Sequence, residues 1–128
     1  LRRNGNGHIV VITSTAGHGV YENGGSYTSA KHAELAFTQT LRLELNGEPI
    51  RITEIAPGMV KTEEFSLNRL GDVAAAEKVY EGVAAPLTAA DIAEAIRWSV
   101  MLPAHVNIDS LIVRPVAQAA NHKIHRLK

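Results

Sequence analysis

The sequence predicts an α/β layer with parallel strands, and three observations carry that prediction. Ile9-Val10-Val11-Ile12 is an unbroken β-branched run, as in a strand covered on both faces. Strand-length apolar runs alternate with longer stretches of helical period, the pattern of parallel strands joined by right-handed crossovers. The first two runs also end in segments of small or turn-forming residues, Ser14-Thr15-Ala16-Gly17 and Pro57-Gly58. Those are carboxyl ends of strands, where open α/β sheets bind ligands.

The first strand is expected over residues 8–13 and a glycine-rich loop over residues 15–25. A helix is expected over residues 26–45, closed by Asn46-Gly47 as a left-handed cap. Its apolar residues form two stripes, Ala30, Ala33, Phe37, Leu41 and Leu45 on one and Leu35, Ala36 and Leu43 on the other. Such a helix has two surfaces to pack against, the sheet and a second subunit. A second strand follows over residues 49–56, then a mixed stretch to residue 82 with helical potential at 73–80. Thr88 reads as an N-cap with Asp91 as the capping-box acid, on a helix that runs to Met101 and stops before Pro103. The third strand spans residues 107–113, and residues 121–128 form a polar, basic tail.

A chain of 128 residues is long enough for one domain with a real core. Thirteen basic and thirteen acidic side chains balance, which argues against nucleic acid or an anionic membrane as a partner. Apolar runs fall short of a membrane span and no signal-peptide pattern opens the sequence. Cysteine is absent, which removes disulfides, thiolate catalysis and cysteine metal sites and agrees with a cytoplasmic location. The opening Leu1-Arg2-Arg3-Asn4-Gly5-Asn6-Gly7 reads as a helix end and turn feeding a strand. An edge as apolar as Ile9–Ile12 makes a poor exposed border, so the chain is expected to be part of a longer one with more sheet on that side.

The chemistry concentrates at Ser14, Tyr27 and Lys31. Tyr27 and Lys31 stand four apart on the predicted helix, so their side chains stack one turn apart on one face. A phenol beside an ammonium can exchange a proton near neutral pH, because the cation stabilises the phenolate. Ser14, at a strand end, can offer a hydroxyl to the same spot. The pair alone is a common coincidence; the serine and the Pro57-Gly58 segment on the same sheet edge make it a site.

Together, Gly7-His8-Ile9-Val10-Val11-Ile12-Thr13-Ser14-Thr15-Ala16-Gly17, Tyr27-Thr28-Ser29-Ala30-Lys31 and Pro57-Gly58-Met59-Val60-Lys61-Thr62 resemble the C-terminal half of a short-chain dehydrogenase/reductase. Leu102-Pro103-Ala104-His105-Val106-Asn107-Ile108, with Arg114-Pro115-Val116-Ala117-Gln118, is similar to the branch containing NADP-dependent 3-hydroxy-acid (serine and allo-threonine) dehydrogenases. Clavulanate-type aldehyde reductases look similar there too. The resemblance implies the last three strands of a Rossmann-type doubly wound parallel sheet, with residues 1–128 as the C-terminal part of one dinucleotide-binding domain. It implies Tyr27 as general acid–base, and Lys31 as the cation that tunes it and holds the nicotinamide ribose. Ser14 would hydrogen-bond the substrate oxygen, and Pro57, Gly58, Val60 and Thr62 would line the nicotinamide. The implied cofactor is NADP, with NAD possible. The implied substrate is a small hydroxy acid, hydroxy-amino acid, aldehyde or ketone, and the implied assembly a homotetramer or dimer.

The family's glycine-rich dinucleotide fingerprint, its Asn-Asn-Ala-Gly segment and its tetrad asparagine have no counterpart in these residues. All three would precede Leu1. The alternative is therefore an inactive fragment that serves only as an oligomerisation remnant. Other candidates read more simply. His18 lies near Ser14, but Ile12-Thr13-Ser14-Thr15-Ala16 lacks the Gly-x-Ser-x-Gly elbow of a serine hydrolase. His122 and His125 lack a third ligand and read as solvated rather than as a metal site, Trp98 reads as packing, and Glu63 and Glu64 read as a solvated helix start. Arg114-Pro115 reads as a subunit contact more than a carboxylate anchor.

Overall fold

A computed structural model describes residues 1–62 and 64–128. Strands β1 (Gly7–Ile12), β2 (Ile50–Pro57) and β3 (Ser110–Val113) form a parallel sheet in the order β1-β2-β3. Helix α1 (Gly25–Glu44) crosses from β1 to β2. The return to β3 carries α2 (Phe65–Leu70), α3 (Val73–Tyr80) and α4 (Ala89–Met101). A hairpin of β4 (Gln118–Ala120) and β5 (Lys123–Ile124) follows, its second strand inside the expected polar, basic tail. No helix among the described residues is long and apolar enough to cross a membrane.

Sheet order places β1 at an edge, and its residues are half-buried and end on an exposed Ile12, whereas the last six residues of β2 are buried. Both predicted stripes of α1 carry residues left exposed in the single chain. Phe37 and Leu43 are 63% and 79% exposed, and the two fully buried side chains of α1 are Thr28 and Thr38. Their hydroxyls donate back to the carbonyls of Gly24 (2.9 Å) and Glu34 (2.8 Å). With the hydroxyls satisfied inside the helix, the threonines can be buried without an unpaired polar atom. The helix ends one residue before the expected boundary, capped at Leu45, and Gly47 takes the left-handed conformation in the turn beyond (φ 91°). At α4 the capping box forms: Thr88 Oγ1 accepts from Asp91 N (3.3 Å), and Asp91 Oδ2 accepts from Thr88 N (2.7 Å). Trp98 on this helix is 47% exposed.

Two β2 neighbours set the start of β3 and the end of α4. Asn107 accepts from Ile52 N (2.8 Å) and donates to Ile52 O (3.1 Å). A side-chain amide thus occupies the ladder position that a longer β3 would have filled, which is why the strand begins at Ser110 rather than at residue 107. Arg51 donates to the carbonyls of Val100 (3.1 Å) and Leu102 (3.1 Å), supplying α4 with the C-terminal cation its own last turn lacks.

In the middle of the sheet sits Glu54, 1% exposed. Its Oε1 accepts from Thr13 Oγ1 and from His18 Nε2 (2.8 Å), and its Oε2 accepts from Ser110 Oγ (2.6 Å). Burial alone pushes this carboxyl up. The bonds from Ser110, Thr13 and His18, with the charge of His18, outweigh burial and hold it below its ordinary value of 4.5.

A group with a depressed folded-state pKa contributes stability that is fully present above its unfolded value and lost as pH falls through the folded one. The wild-type chain should therefore lose stability as the pH drops below 4.5, and Glu54→Gln should flatten that acid limb in urea titrations run at a series of pH values. Asn107→Ala leaves two backbone groups of Ile52 unpaired, and urea unfolding should register a loss of about 1–3 kcal/mol. A loss near zero would mean that water or a longer β3 takes over the ladder position.

Candidate active site

The carboxyl end of β1 runs into Thr13, Ser14 and Thr15, all buried. Ser14 is extended (φ −168°, ψ 157°) and caps a single 3₁₀ turn, Thr15–Gly17, its Oγ accepting from Ala16 N at 3.1 Å. That bond fixes the oxygen and leaves the hydroxyl proton as a donor. Gly17 closes the turn against α1. A Cβ there would lie 2.8 Å from the carbonyl oxygen of Lys31, so only glycine lets the serine turn seat on the helix.

Tyr27 and Lys31 occupy the first turns of α1 as the spacing predicts. Lys31 Nζ lies 5.9 Å from the centre of the Tyr27 ring and donates to Glu34 Oε2 at 2.7 Å. The helix start is shaped by Gly24, where a Cβ would fall 2.6 Å from the Tyr21 ring. Asn23, at φ 61°, turns the chain just before it.

The opposite wall comes from the end of β2. Gly58 N donates to Val113 O (2.7 Å) and Met59 N to Gln118 Oε1 (2.9 Å). A Cβ on Gly58 would stand 2.3 Å from Gln118 Oε1, so the glycine admits the glutamine that orders this wall. Beyond it the chain pairs with residue 87: Val60 bridges Leu87, Lys61 N donates to Leu87 O (2.8 Å) and Leu87 N to Met59 O (3.0 Å). This clasp ties off the segment that carries α2 and α3, and Tyr80 OH donates back to Val60 O at 2.8 Å.

All seven residues singled out from sequence, Ser14, Tyr27, Lys31, Pro57, Gly58, Val60 and Thr62, line one cavity of about 540 Å³. Tyr21, Gln118, Asn121 and Arg126 line it too, and sequence reasoning assigned none of them to the site. The tail reaches the cavity because the β4–β5 hairpin folds it back. Asn121 Nδ2 donates to Thr15 O (3.1 Å), and Arg126 holds the end of α3 through the carbonyls of Glu81 and Val79. A basic tail gives no sequence signal for such a return. Among the described residues the lining includes Lys31 and Arg126 but no carboxylate.

Other sequence candidates stay outside. His18 is engaged by Glu54, so the geometry gives a serine hydrolase no support. His122 and His125 are exposed, and no cluster of metal-ligating side chains occurs among the described residues. Arg114 is exposed and lays its stem against Gly58. Glu64 is an exposed cap before α2, and Glu63 lies outside the described residues.

Comparison with known proteins agrees with this arrangement. The family model described as short chain dehydrogenase matches residues 1–70. An uncharacterized oxidoreductase of Mycobacterium tuberculosis (strain ATCC 25618 / H37Rv) is 52% identical over 117 residues, which is 91% of this chain and 46% of that protein. The NADP-dependent 3-hydroxy acid dehydrogenase YdfG of Escherichia coli (strain K12) is 44% identical over 122 residues, 94% of this chain and 49% of that one. Among solved structures, the closed form of serine dehydrogenase complexed with NADP+ superposes with a TM-score of 0.88 at 41% identity, covering 98% of this chain and 51% of that one. The chain thus spans about half the length of the relatives it matches. With a family model over more than half its length and the same fold in a solved relative, the chain belongs to the short-chain dehydrogenase family.

Proposed function

We propose that this chain supplies the proton-transfer part of an NADP-dependent dehydrogenase acting on a small hydroxy acid, hydroxy-amino acid, aldehyde or ketone. The observation that carries the reading is that Ser14, Tyr27 and Lys31 line one cavity with the Pro57–Thr62 wall. A cavity of about 540 Å³ lies within the ~300–1,000 Å³ typical of small-molecule sites. Its donor set suits a nicotinamide and ribose: an ammonium for ribose hydroxyls, the Thr62 hydroxyl for the carboxamide, and apolar Ile12 and Val60 as walls. Its cations, Lys31 and Arg126, suit anionic ligands. The NADP preference and the substrate class follow the printed activity and ligand of the E. coli and serine dehydrogenase relatives.

When bound, the nicotinamide supplies the hydride acceptor or donor. The chain's own residues handle the proton. In alcohol oxidation the Tyr27 phenolate takes the hydroxyl proton, and in carbonyl reduction the phenol returns it. Lys31, in the same cavity, offers its ammonium to the ribose hydroxyls. Ser14 donates its hydroxyl proton to the substrate oxygen and holds it at the reacting position.

The same reading takes residues 1–128 as the C-terminal part of one dinucleotide-binding domain, because among the described residues β1 pairs on one side only and the relatives are about twice as long. It extends to a homo-oligomer in the cytoplasm. Phe37 and Leu43 on α1, Met101 on α4 and Ile112 on β3 leave apolar surface for other subunits.

In the full-length enzyme, Tyr27→Phe should cut kcat by about 10²–10⁴-fold, the usual worth of a positioned acid–base group, with the circular dichroism spectrum unchanged. Near-normal turnover in that variant would remove Tyr27 from the role. Titration of the 128-residue chain alone with NADPH, followed by nucleotide fluorescence, should show no tight binding; tight binding would overturn the assignment of the main cofactor contacts to preceding residues.

A further inference from the structure

We propose that Glu54 is a positioning residue for Ser14, holding the serine turn at both ends through a single carboxylate oxygen. The inference rests on the reading of Ser14 as the substrate-oxygen donor. A glutamate at the centre of a parallel sheet, 1% exposed, is costly to bury unless its oxygens are bonded. Its bonds are distributed in a particular way. Thr13, immediately before Ser14, and His18, immediately after the Thr15–Gly17 turn, both donate to Oε1. Ser110 on β3 takes Oε2 and holds the carboxylate against the opposite strand. An ionised carboxylate only accepts, which puts the bonding proton on His18 Nε2.

The turn has other anchors, and Thr13 N donates to Ile55 O (2.9 Å), which holds the backbone just before Ser14 on β2. Its backbone bonds, Gly17 N to Ser14 O (2.9 Å) and His18 N to Thr15 O (3.1 Å), are internal and set its shape, not its place. On one side it rests on α1 at Gly17, and on the other Asn121 reaches Thr15 O. Among the described residues, Glu54 alone bonds side chains on both flanks of Ser14 and links them to the sheet. Removing the carboxylate releases the Thr13 and His18 side chains, so the far end of the turn loses its tie to the sheet and the Ser14 hydroxyl can drift from the substrate oxygen. A misplacement of about 1 Å is enough to cost about 10²-fold in rate.

The test is a double-mutant cycle in the full-length enzyme with Ser14→Ala, Glu54→Ala and the double variant. Glu54→Ala should lower kcat about 10–100-fold while both KM values stay within about twofold, since positioning acts on the transition state. Combined with Ser14→Ala, it should add less than about twofold, because the group it positions is already gone. Glu54→Gln, which keeps the shape and one acceptor, should recover part of the loss. Should Glu54→Ala fail to fold, the same cycle run with Glu54→Gln carries the test. A loss that is as large in the Ser14→Ala background as in the wild type would overturn the proposal and leave Glu54 a packing residue. Near-normal turnover of Ser14→Ala itself would instead overturn the reading of Ser14, and the proposal with it.

Discussion

A single buried carboxylate joins the three parts of this molecule that have to agree. Glu54 takes one donor from the end of β1, one from the loop beyond the serine turn and one from the start of β3. A parallel sheet has no tight turns to fix its register, because every connection is a crossover of many residues. Hydrophobic pattern alone is weak at the ends of strands, where apolar residues give way to Thr13, Ser14 and Thr15. Cross-strand hydrogen bonds to one anion supply the missing specification. They come from both neighbouring strands, so β1 and β3 are each tied to the same point of β2. The cost of burying the charge is offset by three donors, which is also what keeps the group ionised.

The site itself is built by close backbone approach on one side and by side-chain caps on the other. At Gly17 and Gly58 the direction of a Cβ is already filled, by the Lys31 carbonyl in one case and the Gln118 amide in the other. These contacts set the two walls of the cavity: the serine turn against α1, and the Pro57–Thr62 segment against the hairpin. The clasp at Val60 and Leu87 then confines the α2–α3 excursion to the mouth of the same cavity. Arg126 reaches over it from the tail.

Much of this was legible in the sequence because it rests on local rules. The β-branched run at Ile9–Ile12 marks a strand, the Thr88–Asp91 pair marks a helix start, and the four-residue spacing of Tyr27 and Lys31 places them on one helical face. What was not legible depends on partners far along the chain. The length of β3 is set by the Asn107 side chain pairing with Ile52, and no propensity encodes that. The face that α1 turns to the sheet includes two threonines, which a count of apolar residues assigns to solvent. The basic tail reads as soluble until the hairpin of β4 and β5 brings Arg126 back over the strand ends. Glu54 is the clearest case: in sequence it is one charged residue in a strand, and only the convergence of Thr13, His18 and Ser110 gives it meaning.

The separations along the chain between these contacts also set what each costs to close. The serine turn and the lysine it rests on are near neighbours in sequence, so their docking closes a short loop. Thr13 and Glu54 are 41 residues apart, and Ser110 and Glu54 are 56 apart. Closure entropy rises slowly with length, by about 0.6 kcal/mol per doubling, but parallel pairing returns nothing until the crossover is complete. The serine turn thus docks on the helix at a small closure cost, while its two links through Glu54 carry the larger ones.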